Sequence, residues 1–194
     1  MKDLLRILFI SWMVCSATVT CFGQDPTLEI PAEVKPFIDK DMSALACESA
    51  DLNGDGTKDY ILVVETAASA NDRNSEDDRT LIIITRETDG KLKRAKSNDN
   101  VVYCRGCGGA FGDPFDSVEV RKNSFTVVNY GGSAWRWSES YTFNYSRIDK
   151  TWQLVKSVSD SFNTLAPKTL KRKIRTPKNF GKVDIADFNT SKLK

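Results

Sequence analysis

The segment from Trp135 to Arg147 alternates with a period of two residues. Trp135, Trp137, Tyr141, Phe143 and Tyr145 share one parity, and Arg136, Ser138, Ser140, Thr142, Asn144 and Ser146 share the other. A β-strand sends successive side chains to opposite faces, so this pattern predicts a strand with one aromatic face and one wet face, as in a half-buried antiparallel sheet. Two readings of the aromatic face follow. It is the core side of the sheet, or it is a platform that stacks sugar rings or a partner's apolar side chains. Glu139 interrupts the aromatic run and predicts a bulge or an exposed end there. Trp135 and Trp137, beside Gly131-Gly132, then reach the surface more readily than Tyr141 to Tyr145, which makes Trp135, Arg136 and Trp137 the candidate ligand surface.

The rest of the chain adds strands rather than helices. YILVVE and TLIIITRE are continuous apolar runs suited to buried strands, and the acidic stretch at residues 71–79 between them reads as an exposed loop. Turn signals recur at short intervals: Thr88-Asp89-Gly90, Lys122-Asn123 and Ile148-Asp149-Lys150 each separate strand-like runs, and consecutive hairpins make a meander. No repeat of about 20–50 residues supports a solenoid or propeller. Near the start, IPAEVKPFIDK places Ile30, Val34, Phe37 and Ile38 at helical spacing, with Pro36 limiting the element to a short helix. The expected fold is mainly β, an antiparallel meander forming a curved sheet, sandwich or partial barrel, with a short N-terminal helix.

The string DLNGDGTKDYILVVE, from Asp51 to Glu65, carries the chemistry. Calcium takes about six to eight oxygens at roughly 2.3–2.6 Å, and alternate residues of a tight loop can aim several inward together. Asp51, Asn53, Asp55, the Thr57 carbonyl and Asp59 occupy those alternate positions, and Gly56 permits the sharp turn. The same residues also favour turns without any metal. A helix-loop-helix calcium hand needs a bidentate Glu at position 12, where this chain has Leu62. The string instead resembles the calcium loops of FG-GAP and VCBS-type repeats, in which DxNxDGxxD feeds directly into a strand. That resemblance implies a calcium site with Asp51, Asn53, Asp55 and Asp59 as side-chain ligands and Thr57 as a carbonyl ligand. Together with CRGCGGAFGDPFD and NYGGSAWRW, it also makes the chain similar to exported bacterial proteins carrying one such loop.

Compartment follows from the first residues. Lys2 and Arg6 precede an uncharged apolar stretch to about Val19, with small residues after it, as in an export signal over residues 1–23. A retained membrane anchor and lipidation of Cys21 are the competing readings. Residues 24–194 then form a single calcium-binding β domain that is periplasmic, cell-surface or extracellular, with no stable membrane span. Cys47, Cys104 and Cys107 remain in it, and in an oxidising compartment Cys104 and Cys107 pair with each other or one of them pairs with Cys47. A redox or zinc role for the pair is a remaining reading, and two features oppose it. Gly108-Gly109 after it does not open a helix, and the chain has no histidine to complete a metal site.

The same lack of histidine excludes Ser-His-Asp and Cys-His nucleophiles and histidine-ligated zinc. Paired carboxylates could still cleave glycosides, with Asp113, Asp116 and Glu139 as candidates. Charge is nearly balanced, 28 basic against 26 acidic groups, so bulk electrostatics selects no partner. Locally, Lys168, Lys171, Arg172, Lys173, Arg175, Lys178 and Lys182 run without an acid between them. They form an anion-binding patch or a charged edge strand. Export argues against nucleic acid. The sequence therefore predicts an exported, non-enzymatic, calcium-stabilised β domain that binds a protein or glycan at the cell envelope. A carboxylate glycan hydrolase and a purely structural envelope component are the alternatives.

Overall fold

The computed structural model describes residues 28–193. The leader and Cys21 lie outside them. Nine strands follow in chain order: β1 (Met42–Ala50), β2 (Asp59–Thr66), β3 (Arg79–Arg86), β4 (Leu92–Val102), β5 (Phe115–Arg121), β6 (Ser124–Gly132), β7 (Trp135–Ser146), β8 (Thr151–Asn163) and β9 (Ala166–Arg175). The first four form one antiparallel meander and the last five a second, each with strands adjacent in the order they occur. The two sheets stack as a sandwich around one core.

The continuous apolar runs have a physical reason: the first sheet is covered on both sides. Ile61, Val63, Leu81 and Ile83 face the second sheet. Tyr60, Leu62, Val64, Ile82 and Ile84 face the opposite way and are covered by the N-terminal segment through Val34, Ile30 and Phe37. Glu33 fastens that cover, accepting hydrogen bonds from Tyr60 Oη and Arg86 Nη2, each at 2.6 Å. The short helix expected here is a single 3-10 turn, Lys35–Phe37, because Pro36 removes an amide donor that a longer helix needs.

The second sheet is half wet, as the alternation in β7 requires. Tyr141 and Phe143 point into the core with Phe125, Val127, Trp152 and Leu154, and Phe125 stacks on Phe143 at 5.1 Å between centroids. On the outer face Thr126 and Thr142 hydroxyls meet at 3.0 Å. The expected break at Glu139 does not occur. Glu139 pairs in register with Asn129 and Ser159, and the bulge falls between Thr142 and Phe143 in the pairing with β8. Glu139 shares the inner parity and is tolerated because it sits beyond the dry core, where Ser159 donates to it at 2.7 Å.

All three hairpin turns fall where the sequence places them. Asn123 and Lys150 adopt positive φ (61° and 52°) at two of them. The chain after β9 returns to close the sandwich: Val183, Ile185, Phe188 and Leu193 enter the core, with Phe188 against Tyr141 and Phe143. Phe143 thus touches both sheet and tail. Phe143→Ala should lower stability by about 3–5 kcal/mol in chemical denaturation. The loss should spread to the tail, seen as faster amide exchange over residues 183–189.

Candidate functional site

Leu52 anchors the acidic loop. Its side chain is fully buried in the shared core, and its carbonyl accepts the Trp152 indole N–H at 2.9 Å. The β5–β6 turn grips the loop from the other sheet: Asn123 N donates to the Asp51 carbonyl at 2.8 Å, and Lys122 Nζ lies 3.2 Å from the Asp51 carboxylate. Within the loop, Asp51 accepts the N–H groups of Gly54 and Gly56 at 2.8 and 3.2 Å. Asn53 Oδ1 accepts from Asp55 N, and Asp55 accepts from Thr57 N and Oγ1 and from Asn53 Nδ2. The Thr57 hydroxyl, against modest burial, holds the Asp55 carboxyl below the ordinary range. Asp59 stands apart. It is fully buried, with one oxygen taking Leu52 N and the other Arg86 N, both at 2.9 Å, so it locks the loop to the end of β3. Burial pushes its pKa up despite those bonds.

The donor set is all oxygen, which suits a hard cation. One further oxygen is near: Asn123 Oδ1 is buried without a hydrogen-bond partner and sits where a Cβ on Gly54 would fall. An oxygen in that position is unsatisfied by the protein alone, and it fits a loop that receives a cation or water. Among the described residues, no three His, Cys, Asp or Glu side chains are gathered closely enough to hold a metal by themselves. Any site here therefore depends on Asn53 and main-chain oxygens as well as on carboxylates.

A second construction lies across the molecule's glycine-rich passage. Arg79 is 1% exposed at the start of β3, not in the solvated loop that the acidic stretch implies. All five of its donors are used. Nε and Nη2 reach Glu65 Oε2 at 3.0 and 2.8 Å, Nη1 and Nη2 reach the two Asp113 oxygens at 2.6 Å, and Nη1 also reaches the Tyr103 carbonyl at 3.0 Å. Arg105 bonds the other Glu65 oxygen and lies 3.7 Å from Asp113. Burial opposes the Arg79 charge, but the bonds to Asp113 and Glu65 outweigh it and raise its pKa. For Asp113, burial acts upward and the Arg79 bonds act downward, leaving the carboxyl below its usual value.

This network clamps both ends of the segment from Tyr103 to Asp113. Cys104 pairs with Cys107, while Cys47 is free and lies on the opposite face of the first sheet, under the N-terminal cover. The pairing across three residues tightens the chain, and Cys107 N donates to Cys104 O at 3.0 Å. Contrary to the sequence expectation, the chain winds as 3-10 helix over Arg105–Phe111, interrupted at Gly109. Gly106 is required by contact: a Cβ there would fall 2.7 Å from the Asn74 carbonyl oxygen.

What the clamp holds out is Phe111, 50% exposed. Its ring meets Tyr130 edge-on at 4.9 Å, and the Arg136 guanidinium stacks over it at 4.5 Å. Trp135 is 53% exposed, whereas Trp137 is half-buried against Tyr103, with centroids 5.7 Å apart. Thr164 N donates to the Ala134 carbonyl at 2.9 Å, which brings the β8–β9 tip, with its exposed Leu165, beside Trp135. Of the three residues proposed from sequence, Trp135 is exposed and Arg136 is part-buried over Phe111 on the opposite face of β7. Trp137 shares the face of Trp135 and is packed against Tyr103. Phe111, Tyr130 and the Arg79 clamp carry no sequence signal beyond an unusually long glycine-rich loop.

No protein-family model matches the chain, and no curated protein matches it. Among solved structures it is similar to one described as a Xanthomonas type IV secretion system related protein, at 14% identity and a TM-score of 0.38, covering 72% of this chain and 57% of that one. The chain thus spans just over half the length of that neighbour. No described helix is long and apolar enough to cross a membrane.

Removing one member of the clamp leaves Arg79 buried without its counter-charge. Asp113→Asn should cost about 2–3 kcal/mol, less than for a fully buried pair because Asp113 keeps some solvent contact. Since folding lowers the Asp113 pKa, its ionisation contributes stability that is complete above the unfolded value near about 4. That contribution is lost as pH falls through the lower folded value. Urea titrations of parent and variant should therefore converge below about pH 4.

Proposed function

We propose that this chain is an exported, calcium-stabilised β-sandwich without catalytic activity that binds a protein partner at the cell envelope. One observation carries the binding role: a fully buried arginine with two carboxylates, together with a disulfide, is spent on a loop that carries a half-exposed phenylalanine capped by arginine. Rigid support beneath an exposed aromatic is what a binding surface needs, and Trp, Tyr and Arg dominate the centres of protein interfaces. Arg136, stacked on Phe111 beside Tyr130, and exposed Trp135 at the start of β7 supply residues of this kind. The leader reading and the Cys104–Cys107 disulfide support an oxidising compartment outside the cytoplasm. The carboxylates considered for glycoside cleavage are otherwise engaged. Asp113 belongs to the clamp, Asp116 takes the Ser117 hydroxyl at 3.0 Å, and Glu139 takes the Ser159 hydroxyl at 2.7 Å.

Calcium, held by Asp51, Asn53, Asp55, the Thr57 carbonyl and Asp59, would neutralise a loop that ties β2 to the β5–β6 turn. Its role here is to order the junction of the two sheets. The melting temperature should rise with calcium at about 10⁻⁴ to 10⁻³ M. Asp55→Ala should erase that rise and leave the calcium-free melting temperature nearly unchanged. Asp59→Ala should lower stability by about 2 kcal/mol even without calcium, because the Leu52 and Arg86 N–H groups lose their acceptor, and should also shrink the calcium-dependent rise. A flat melting temperature across this range would remove calcium from the account without touching the binding role.

Crosslinking in an envelope extract tests the binding role separately. A Phe111→Ala/Trp135→Ala variant should lose the partner that the parent captures while keeping its circular dichroism spectrum. Equal capture by both would refute this surface. Release of new reducing ends from envelope polysaccharide would replace the binding reading with a hydrolytic one.

A further inference from the structure

The outer edge of β9 is open. On its other side β9 pairs with β8 from Ser157 to Asn163, and further along β8 the returning tail pairs Asp184 with Gln153 and takes the Leu154 N–H at Val183 O. Among the described residues the sheet has no further strand beyond β9. An open edge is a row of N–H and C=O groups that templates another strand, and proteins ordinarily guard it with charge, proline, a bulge or a cover. Pro167 and the basic residues of β9 are such guards. Leu170 and Ile174, 52% and 56% exposed, are the reverse, since apolar side chains on an edge invite pairing.

The alternation of the strand separates the two kinds of residue. Leu170, Arg172 and Ile174 lie on one face, and Lys171, Lys173 and Arg175 on the other. Arg172 is answered across the sheet by Asp160 at 2.6 and 2.7 Å. Lys171 and Lys173 are exposed and make no ion pair among the described residues. The edge therefore combines free backbone, two apolar contacts on one face and two unanswered cations on the other.

We propose that β9 accepts an extended acidic segment of a partner protein as an added strand, with its apolar residues beside Leu170 and Ile174 and its carboxylates beside Lys171 and Lys173. Strand addition of this kind draws affinity from main-chain bonds and specificity from alternate side chains. A second copy of β9 would bring lysine against lysine, and like charges across a strand pair are destabilising. A membrane or an anionic polymer would use the charge but neither the backbone edge nor the apolar pair. This surface is independent of the acidic loop and of the Phe111 end.

The test uses the full chain and a capped ten-residue peptide alternating Glu with Val, read by fluorescence anisotropy and by hydrogen–deuterium exchange. Saturable binding is expected, with exchange slowed over residues 166–175. Affinity should fall at least tenfold when the glutamates become lysines, and when one of the two alternate sets of peptide amides is N-methylated. Lys171→Glu/Lys173→Glu should weaken binding similarly at an unchanged melting temperature. Binding that survives N-methylation of both sets would mean attraction by charge alone and would overturn the proposal. So would protection confined to other strands, equal binding to anionic vesicles, an absence of binding, or a β9-protected dimer in sedimentation.

Discussion

Arg79 is the point on which the irregular half of the molecule depends. A guanidinium removed from water must have every donor met, and here the acceptors come from β2, from the Tyr103 carbonyl at the end of β4 and from Asp113 before β5. The ion network is therefore a joint between the first sheet, the disulfide loop and the entry to the second sheet. Buried ion pairs add little net stability over a well-packed apolar substitute, so their value lies in fixing one arrangement. The arrangement fixed here is the outward presentation of Phe111 and, through it, the stacked position of Arg136.

The acidic loop is a second joint at another junction of the same two sheets. Leu52 sits in the core, its carbonyl holds Trp152, and Asp51 is gripped by the β5–β6 turn. Both joints are polar, and both connect elements far apart in sequence around an apolar centre that specifies packing but little orientation. Asp59 and Arg79 play equivalent parts in them. Each is a buried side chain that satisfies groups from a strand and from a loop.

Regular structure was legible because it rests on local signals. The parity of β7 was readable from Tyr141 and Phe143, and the hairpins from Asp89-Gly90, Lys122-Asn123 and Asp149-Lys150. The charged alternation of β9 fitted an edge strand as well as an anion-binding patch, and β9 is the last strand of the second sheet. The reading failed where tertiary partners override local character. Arg79 stands among acids and looks solvated, yet its partner Asp113 is 34 residues away. Glu139 looks like an interruption because nothing local shows that β7 outruns the dry core. The 3-10 winding after Cys104 depends on a covalent bond that spacing alone left open among alternatives. In the candidate site the loop residues and Trp135 were visible as types, whereas Phe111 and Tyr130 became neighbours only through the clamp.

The position of Cys47 bears on how the oxidised pair survives. Thiol–disulfide exchange needs an accessible thiolate that can approach a sulfur. Cys47 is partly shielded beneath residues 30–38, and burial raises its pKa, while the Cys104–Cys107 bond lies with the other face of that sheet and the glycine loop. Among the described residues, exchange with Cys47 thus requires the cover to lift and the first sheet to open. A scrambled bridge in this protein would be a record of past unfolding, written in covalent form and readable after the chain has closed again.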